Sequence, residues 1–137
     1  MRRSFLILLV FGSAAAMAAD WEVVTSGSTG SIISLDKNSI ARTGSGRRKA
    51  WFKSTYTKPQ VLSDEKTKYF ETLELDSFDC SEHTMGMVQV IYRDAAGKVV
   101  YTYENPLTSP RHSDVAPETV GEAMLDAVCS ATLPAAN

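Results

Sequence analysis

Two cysteines, two histidines and a thin scatter of carboxylates are what this 137-residue sequence offers to covalent, metal or acid–base chemistry. Cys80 and Cys129 stand far apart in the chain, at a spacing that matches neither a zinc motif nor a Cys-x-x-Cys redox pair. A single disulfide is the reading they favour in an oxidising compartment, with a metal pair or a reactive thiol as the alternatives. His83 sits beside Glu82 and could join a metal site, but it and His112 both fall in turn-like segments and read as solvated. Glu71, Glu74 and Asp76 share one strand-like segment. Two acids on a strand can act as general acid and base, yet a solvated strand face is the simpler reading. The sequence has no Gly-x-Ser-x-Gly elbow, no His-Glu-x-x-His and no phosphate-cradling glycine loop leading into a helix. It therefore predicts no enzyme, no catalytic residue, no metal and no cofactor.

Noncovalent chemistry is better represented. Arg42, Arg47, Arg48 and Lys49 surround the glycine-containing stretch 43–46, and Lys53 follows further along the same strand-like segment. The chain as a whole is slightly acidic, with 14 Lys and Arg against 16 Asp and Glu. That balance disfavours nucleic acid as a partner, because neutralising phosphates needs a surplus of cations. A local basic patch can still engage an acidic protein or a sulfated matrix polysaccharide, since the nearby field matters more than the net charge. The plain alternative is a solvated hairpin whose cations block edge-to-edge strand pairing. Trp51, on the face of Lys49 and Lys53, would anchor a protein partner or a second copy in a homodimer; the other reading buries it under the loop 58–68.

These side chains need a scaffold, and the pattern supplies short β segments followed by one helix, an α+β order. Segments 21–24, 31–36, 39–42, 49–57, 69–80, 84–93 and 98–104 read as strands separated by Gly, Asp, Ser and Pro turns. In 49–57, Phe52 and Tyr56 take the inward positions and Trp51 the more exposed face. The apolar phase of 69–80 moves from Leu73 and Leu75 to Phe78 and Cys80, so a β-bulge is expected near Asp76 and Ser77. Val88, Val90 and Tyr92 share one face of the next strand. The Thr-x-x-Glu capping box at Thr119 and Glu122, after Pro117, starts a helix whose stripe is Val120, Met124, Leu125, Val128 and Cys129.

The N-terminus sets the compartment. Arg2 and Arg3, an apolar run from Phe5 to Phe11 and the tripeptide Ala16, Met17, Ala18 have the three-part order of a secretory signal peptide. We read residues 1–18 as that signal and 19–137 as a single domain, with no membrane span after cleavage because the apolar run is far short of a spanning helix. Hydrophobic and charged fractions of 44% and 22% are those of an ordinary folded domain and exclude a disordered chain.

In their order along the chain, the early Trp21, the segment Leu35, Asp36, Ser39, Ile40, the aromatic strand with Trp51 and Tyr56, the pair Asp79–Cys80, the turn leading into Gly97 to Val100, and the Pro117-led helix ending in Val128–Cys129 resemble the surface-adhesin E family of Gram-negative bacteria. The resemblance spans nearly all of the mature chain. It implies an antiparallel sheet of about six strands packed against a C-terminal helix and tied by one disulfide, in a non-enzymatic protein exported to the periplasm or outer surface. It also implies attachment to host extracellular-matrix or plasma proteins. The chain lacks the lipid-attachment cysteine of a surface-tethered adhesin, which keeps open the alternative of a periplasmic regulator such as a cell-wall hydrolase inhibitor.

Overall fold

Alternating short-range patterns become strands in chain order: β1 (Trp21–Ser26), β2 (Ile32–Asp36), β3 (Ala41–Arg42), β4 (Arg48–Val61), β5 (Lys68–Asp79), β6 (Thr84–Arg93), β7 (Val99–Glu104) and β8 (Ser113–Asp114), followed by the helix α1 (Val120–Cys129). The computed structural model describes residues 18–44, 46–107 and 109–133. The expected signal segment, apart from Ala18, lies outside the described residues, as does Ser45 in the hairpin tip. Six strands form an antiparallel sheet in the order β1-β2-β4-β5-β6-β7, with β3 paired to the start of β4 and β8 to the start of β6. Among the described residues the fold is the α+β arrangement expected: one sheet, one α-helix, one disulfide.

Because paired residues of adjacent strands point to the same side and neighbours along a strand alternate, the register sorts the sheet into two faces. Leu35 pairs with Phe52, Phe52 with Glu74 and Glu74 with Val90; Ala50 pairs with Asp76. These residues face α1. Ile33, Leu35, Ala50, Phe52 and Phe78 meet Met124, Leu125 and Val128 of the helix in one buried cluster. The stripe read from the helix sequence is thus the one that packs, and Phe52 is inward as expected.

The helix starts where its cap residues put it. Thr119 Oγ1 accepts from the Glu122 amide at 3.3 Å, while Glu122 Oε2 accepts from the amide of Glu118 at 2.7 Å, one residue earlier than a standard capping box. At the other end Cys129 bonds Cys80, just beyond β5, with the two Cα atoms 5.7 Å apart. This bond removes the metal-pair and free-thiol alternatives.

Three local expectations are corrected. First, the loop expected at 58–68 is only the turn 62–67, since β4 runs on through Pro59 to Val61; an irregularity between Thr55 and Gln60 absorbs the proline, which has no amide to give to a neighbouring strand. Second, β5 keeps one phase against β4, and the bulge lies across from it: Leu75 pairs with Gln89 and Asp76 with Met87, so the extra residue is Val88 of β6. Val88 consequently leaves the face of Val90 and Tyr92 and turns toward Lys49 and Ser77 on the opposite side. Third, a single phase through β5 sends Glu74 and Asp76 to the helix side, so they are not a solvated face; Asp76 is only 2% exposed.

Candidate functional site

The side of the sheet away from α1 carries Lys49, Trp51 and Lys53 at alternate positions of β4. Lys49 pairs with Ser77, Trp51 with Leu75 and Lys53 with Leu73, and the next strand places Gln89 and Ile91 beside the two leucines. The 3-10 turn Lys37–Ser39 braces this strand, because Ser39 Oγ accepts from the Trp51 amide at 2.8 Å and donates to Asp36 O at 2.6 Å. Lys53 Nζ lies 4.4 Å from the ring centroid of Trp21, a cation–π contact that links the edge strand β1 to the centre. Trp51, Trp21, Leu73, Leu75 and Ile91 are all half-buried. No helix covers them among the described residues, and the turn 62–67, expected as a possible cover for Trp51, stands at the far end beside Tyr69 instead.

The other residues of the basic cluster are engaged within the fold. Arg48 pairs with Phe78 in the sheet and so points to the helix side, where its Nη1 donates to Val128 O and Ala131 O, each at 2.7 Å. A guanidinium there satisfies carbonyls that the helix end leaves open and opposes the negative pole of the helix dipole. Arg47 Nε donates to Asp79 Oδ2 at 3.1 Å. Hydrogen bonds from the Ser81 hydroxyl and the Glu82 amide, together with Arg47, hold the Asp79 carboxyl down at about 2. Arg42 is exposed and pairs with Arg48 in β3, again on the helix side. The cluster contiguous in sequence is therefore split between two faces, with Arg42 and Arg48 on the helix side and Lys49, Trp51 and Lys53 on the open one, where the paired Arg47 lies beside Lys49, Ser77 and Val88.

The helix side holds features the sequence did not announce. Burial pushes the Asp76 carboxyl up to about 8, with the neighbouring Glu74 charge adding to the rise, and burial raises Glu74 as well. Asp76 Oδ2 has no hydrogen-bond partner. Buried acids of this kind can mark an active site, but neither residue lines any of four clefts on the described surface. Asp76 is buried on the helix side of the sheet, and Glu74 is half-buried beside it. Beyond them, on the same side and past the end of the helix, four tyrosines from four strands form a row. Tyr56, Tyr69, Tyr92 and Tyr101 follow one another at centroid separations of 5.7, 4.9 and 5.8 Å. Their sequence signal was only the alternation of single strands, which cannot show that four strands contribute to one surface.

His83 and His112 form no metal site, and no group of three or more potential ligands occurs among the described residues. His83 is exposed, as expected. His112 is half-buried and not solvated: its Nδ1 lies 3.0 Å from Thr84 Oγ1 and its Nε2 3.1 Å from Ser77 Oγ, and burial with Arg47 nearby lowers its pKa. It fastens the segment after β7 across the sheet, where the Arg111 carbonyl lies so close to Gly86 that a Cβ there would meet it at 2.6 Å.

No curated protein matches the sequence. The sequence model of the surface-adhesin protein E family matches residues 21–130. Solved structures of Haemophilus influenzae protein E are similar in fold. One has a TM-score of 0.58 at 10% identity, covering 88% of this chain and 91% of that one; another, from crystal form II, has a TM-score of 0.53 at 10% identity over 72% and 80%. Protein E from a non-typeable strain gives 0.51, again at 10% identity, over 88% and 82%. At that identity the likeness is one of fold, and the family rests on the sequence match over the whole sheet and helix. The chain belongs to the surface-adhesin protein E family, and it is accordingly an exported, non-enzymatic protein of the periplasm or bacterial surface.

Proposed function

We propose that this protein binds an acidic protein or matrix component through the open face of its sheet. Trp51 and Trp21 serve as aromatic anchors, Lys49 and Lys53 meet the partner's carboxylates or sulfates, and Arg42, Arg47 and Arg48 add to the positive field from the sheet's end. The observation that supports it is the emergence of Lys49, Trp51 and Lys53 on the sheet face away from α1, beside Leu73 and Leu75. Half-buried aromatic and aliphatic groups flanked by cations have the make-up of an interface centre with a polar border. Like charge on the sheet and opposite charge on the partner would speed encounter and make binding salt-dependent.

Binding to heparin and to a panel of acidic matrix proteins tests this reading. The expected result is binding that weakens as the Debye length falls below about 8 Å and is lost in Lys49→Glu with Lys53→Glu and in Trp51→Ala. Equal binding by these variants would exclude the open face. Failure of the wild type to bind any of the panel would favour the regulatory reading, in which the target is a periplasmic protein such as a cell-wall hydrolase. Occupation of the face by a second copy would appear instead as concentration-dependent dimerisation that Trp51→Ala abolishes.

A further inference from the structure

The geometry points to a second, separate binding site: a cleft at the helix-free end of the helix-side face, where Tyr69, Tyr92 and Tyr101 meet the turn after β4, built to take a quaternary ammonium group. The cleft has a volume of about 360 Å³ and is lined by Val61, Leu62, Ser63, Asp64 and the three tyrosines. Tyr69 and Tyr92 stand nearly perpendicular, at 80°, and Tyr101 tilts 48° from Tyr92, so the rings enclose a corner instead of stacking flat. Tyr101 is 49% exposed, which leaves the corner open to solvent. A cation over the face of a phenol ring is attracted by the ring quadrupole, and several rings set at angles to one another are the arrangement that recognises alkylated ammonium ions.

Charge favours the same ligand. No basic residue lines the cleft. Asp64 stays ionised because the Thr67 hydroxyl and the amides of Thr67 and Lys66 all donate to its carboxylate, and these bonds also fix the turn that forms the wall. Glu74 lies on the same side of the sheet as Tyr92, which pairs with Thr72 two residues away. A primary ammonium is strongly hydrated and loses more on entering an apolar corner than a trimethylated one does. The cleft therefore suits a quaternary cation better than a lysine side chain, and a cation better than a neutral group of the same shape.

The test uses the whole mature protein and follows the tyrosine ring signals by NMR during titration with choline, with its neutral isostere 3,3-dimethylbutanol and with an N-acetyl-lysine amide. Choline is expected to shift the rings of Tyr69, Tyr92 and Tyr101 saturably, and the other two compounds much more weakly. Tyr101→Leu keeps an apolar group at an exposed position but removes the ring face, and should weaken choline binding about tenfold. Asp64→Asn retains the turn's amide acceptor without the charge and should weaken it about threefold. Equal shifts with the neutral isostere, a preference for the lysine derivative, full affinity in Tyr101→Leu, or no saturable shift with choline would each overturn the assignment. Loss of heparin binding by the open-face variants leaves this site untouched, so the two readings fail independently.

Discussion

Arg48 and Lys49 are neighbours in β4, yet one reaches two carbonyls at the end of α1 and the other stands on the open face with no ion pair among the described residues. The same division runs through the sheet. Side chains beneath and around the helix are committed to the fold: the Phe52–Phe78 contact, the disulfide, the buried Asp76 and Arg48 against the helix end. On the open side, Trp51, Lys53, Leu73 and Leu75 are half-buried, and α1 packs on the opposite side of the sheet. A two-layer domain leaves one sheet face without a core to join, and that face is where binding chemistry can be carried without weakening the fold. Perturbing the helix side should therefore register in stability, and perturbing the open side in binding.

The largest effect expected is from Cys129→Ala. It frees the last turn of α1 from β5 and removes a cross-link between residues 49 apart, which should lower unfolding free energy by about 4 kcal/mol in a urea titration. A loss below about 1 kcal/mol would mean that the hydrophobic cluster holds the helix unaided. Next comes Asp76. Its folded pKa lies above its unfolded value, so between about pH 4 and pH 8 the unfolded chain has released a proton that the folded protein keeps. Stability from this group is complete below that window and falls as pH rises through it, by at most about 1.4 kcal/mol per pH unit. Thermal unfolding of Asp76→Asn at pH 5 and pH 7 should show a shallower decline than the wild type; an unchanged slope would remove Asp76 as its cause.

Arg48→Ala leaves the Val128 and Ala131 carbonyls without their donor and should cost about 2 kcal/mol, with fraying of the last helical turn visible in hydrogen exchange. Lys49→Ala, one residue away, should change stability by less than about 0.5 kcal/mol. A similar cost for both would erase the distinction between the faces. A comparably small effect is expected from Lys53→Ala, which loses the contact with the half-buried Trp21, about 0.5 kcal/mol, and should shift the Trp fluorescence more clearly than the thermal midpoint.

Much of the frame was legible in the chain because it is governed by near neighbours. Period-two alternation showed Phe52 inward and Trp51 outward, Thr119 and Glu122 marked the start of α1, and Asp94 with Gly97 at φ +78° made the predicted β6–β7 turn. The errors lie where one strand's pattern depends on another. Leu73 and Leu75 looked like the core phase of β5, but Phe78 decides which side meets the helix, and Glu74 and Asp76 follow it inward. The bulge needed to reconcile those phases lies in β6, at Val88, where no reading of β5 could place it. For the site, Lys49, Trp51 and Lys53 were legible as a period-two set, whereas Trp21, Leu73 and Leu75 join them only through strand pairing.

The sequence by itself determined the kinds of element, their order, the cysteine pair and the identity of the charged and aromatic side chains, since propensity, capping and alternation act over a few residues. Only the tertiary structure decided what each of those side chains does. Register and the placement of one helix, interactions between residues distant in the chain, bury Asp76 without a partner, turn Arg48 into a helix cap, leave Lys49 and Lys53 on an open face, and gather Tyr56, Tyr69, Tyr92 and Tyr101 from four strands into one row. Shifting any of these strands by one residue against its neighbours would exchange its two faces, and with them the residues available to a partner.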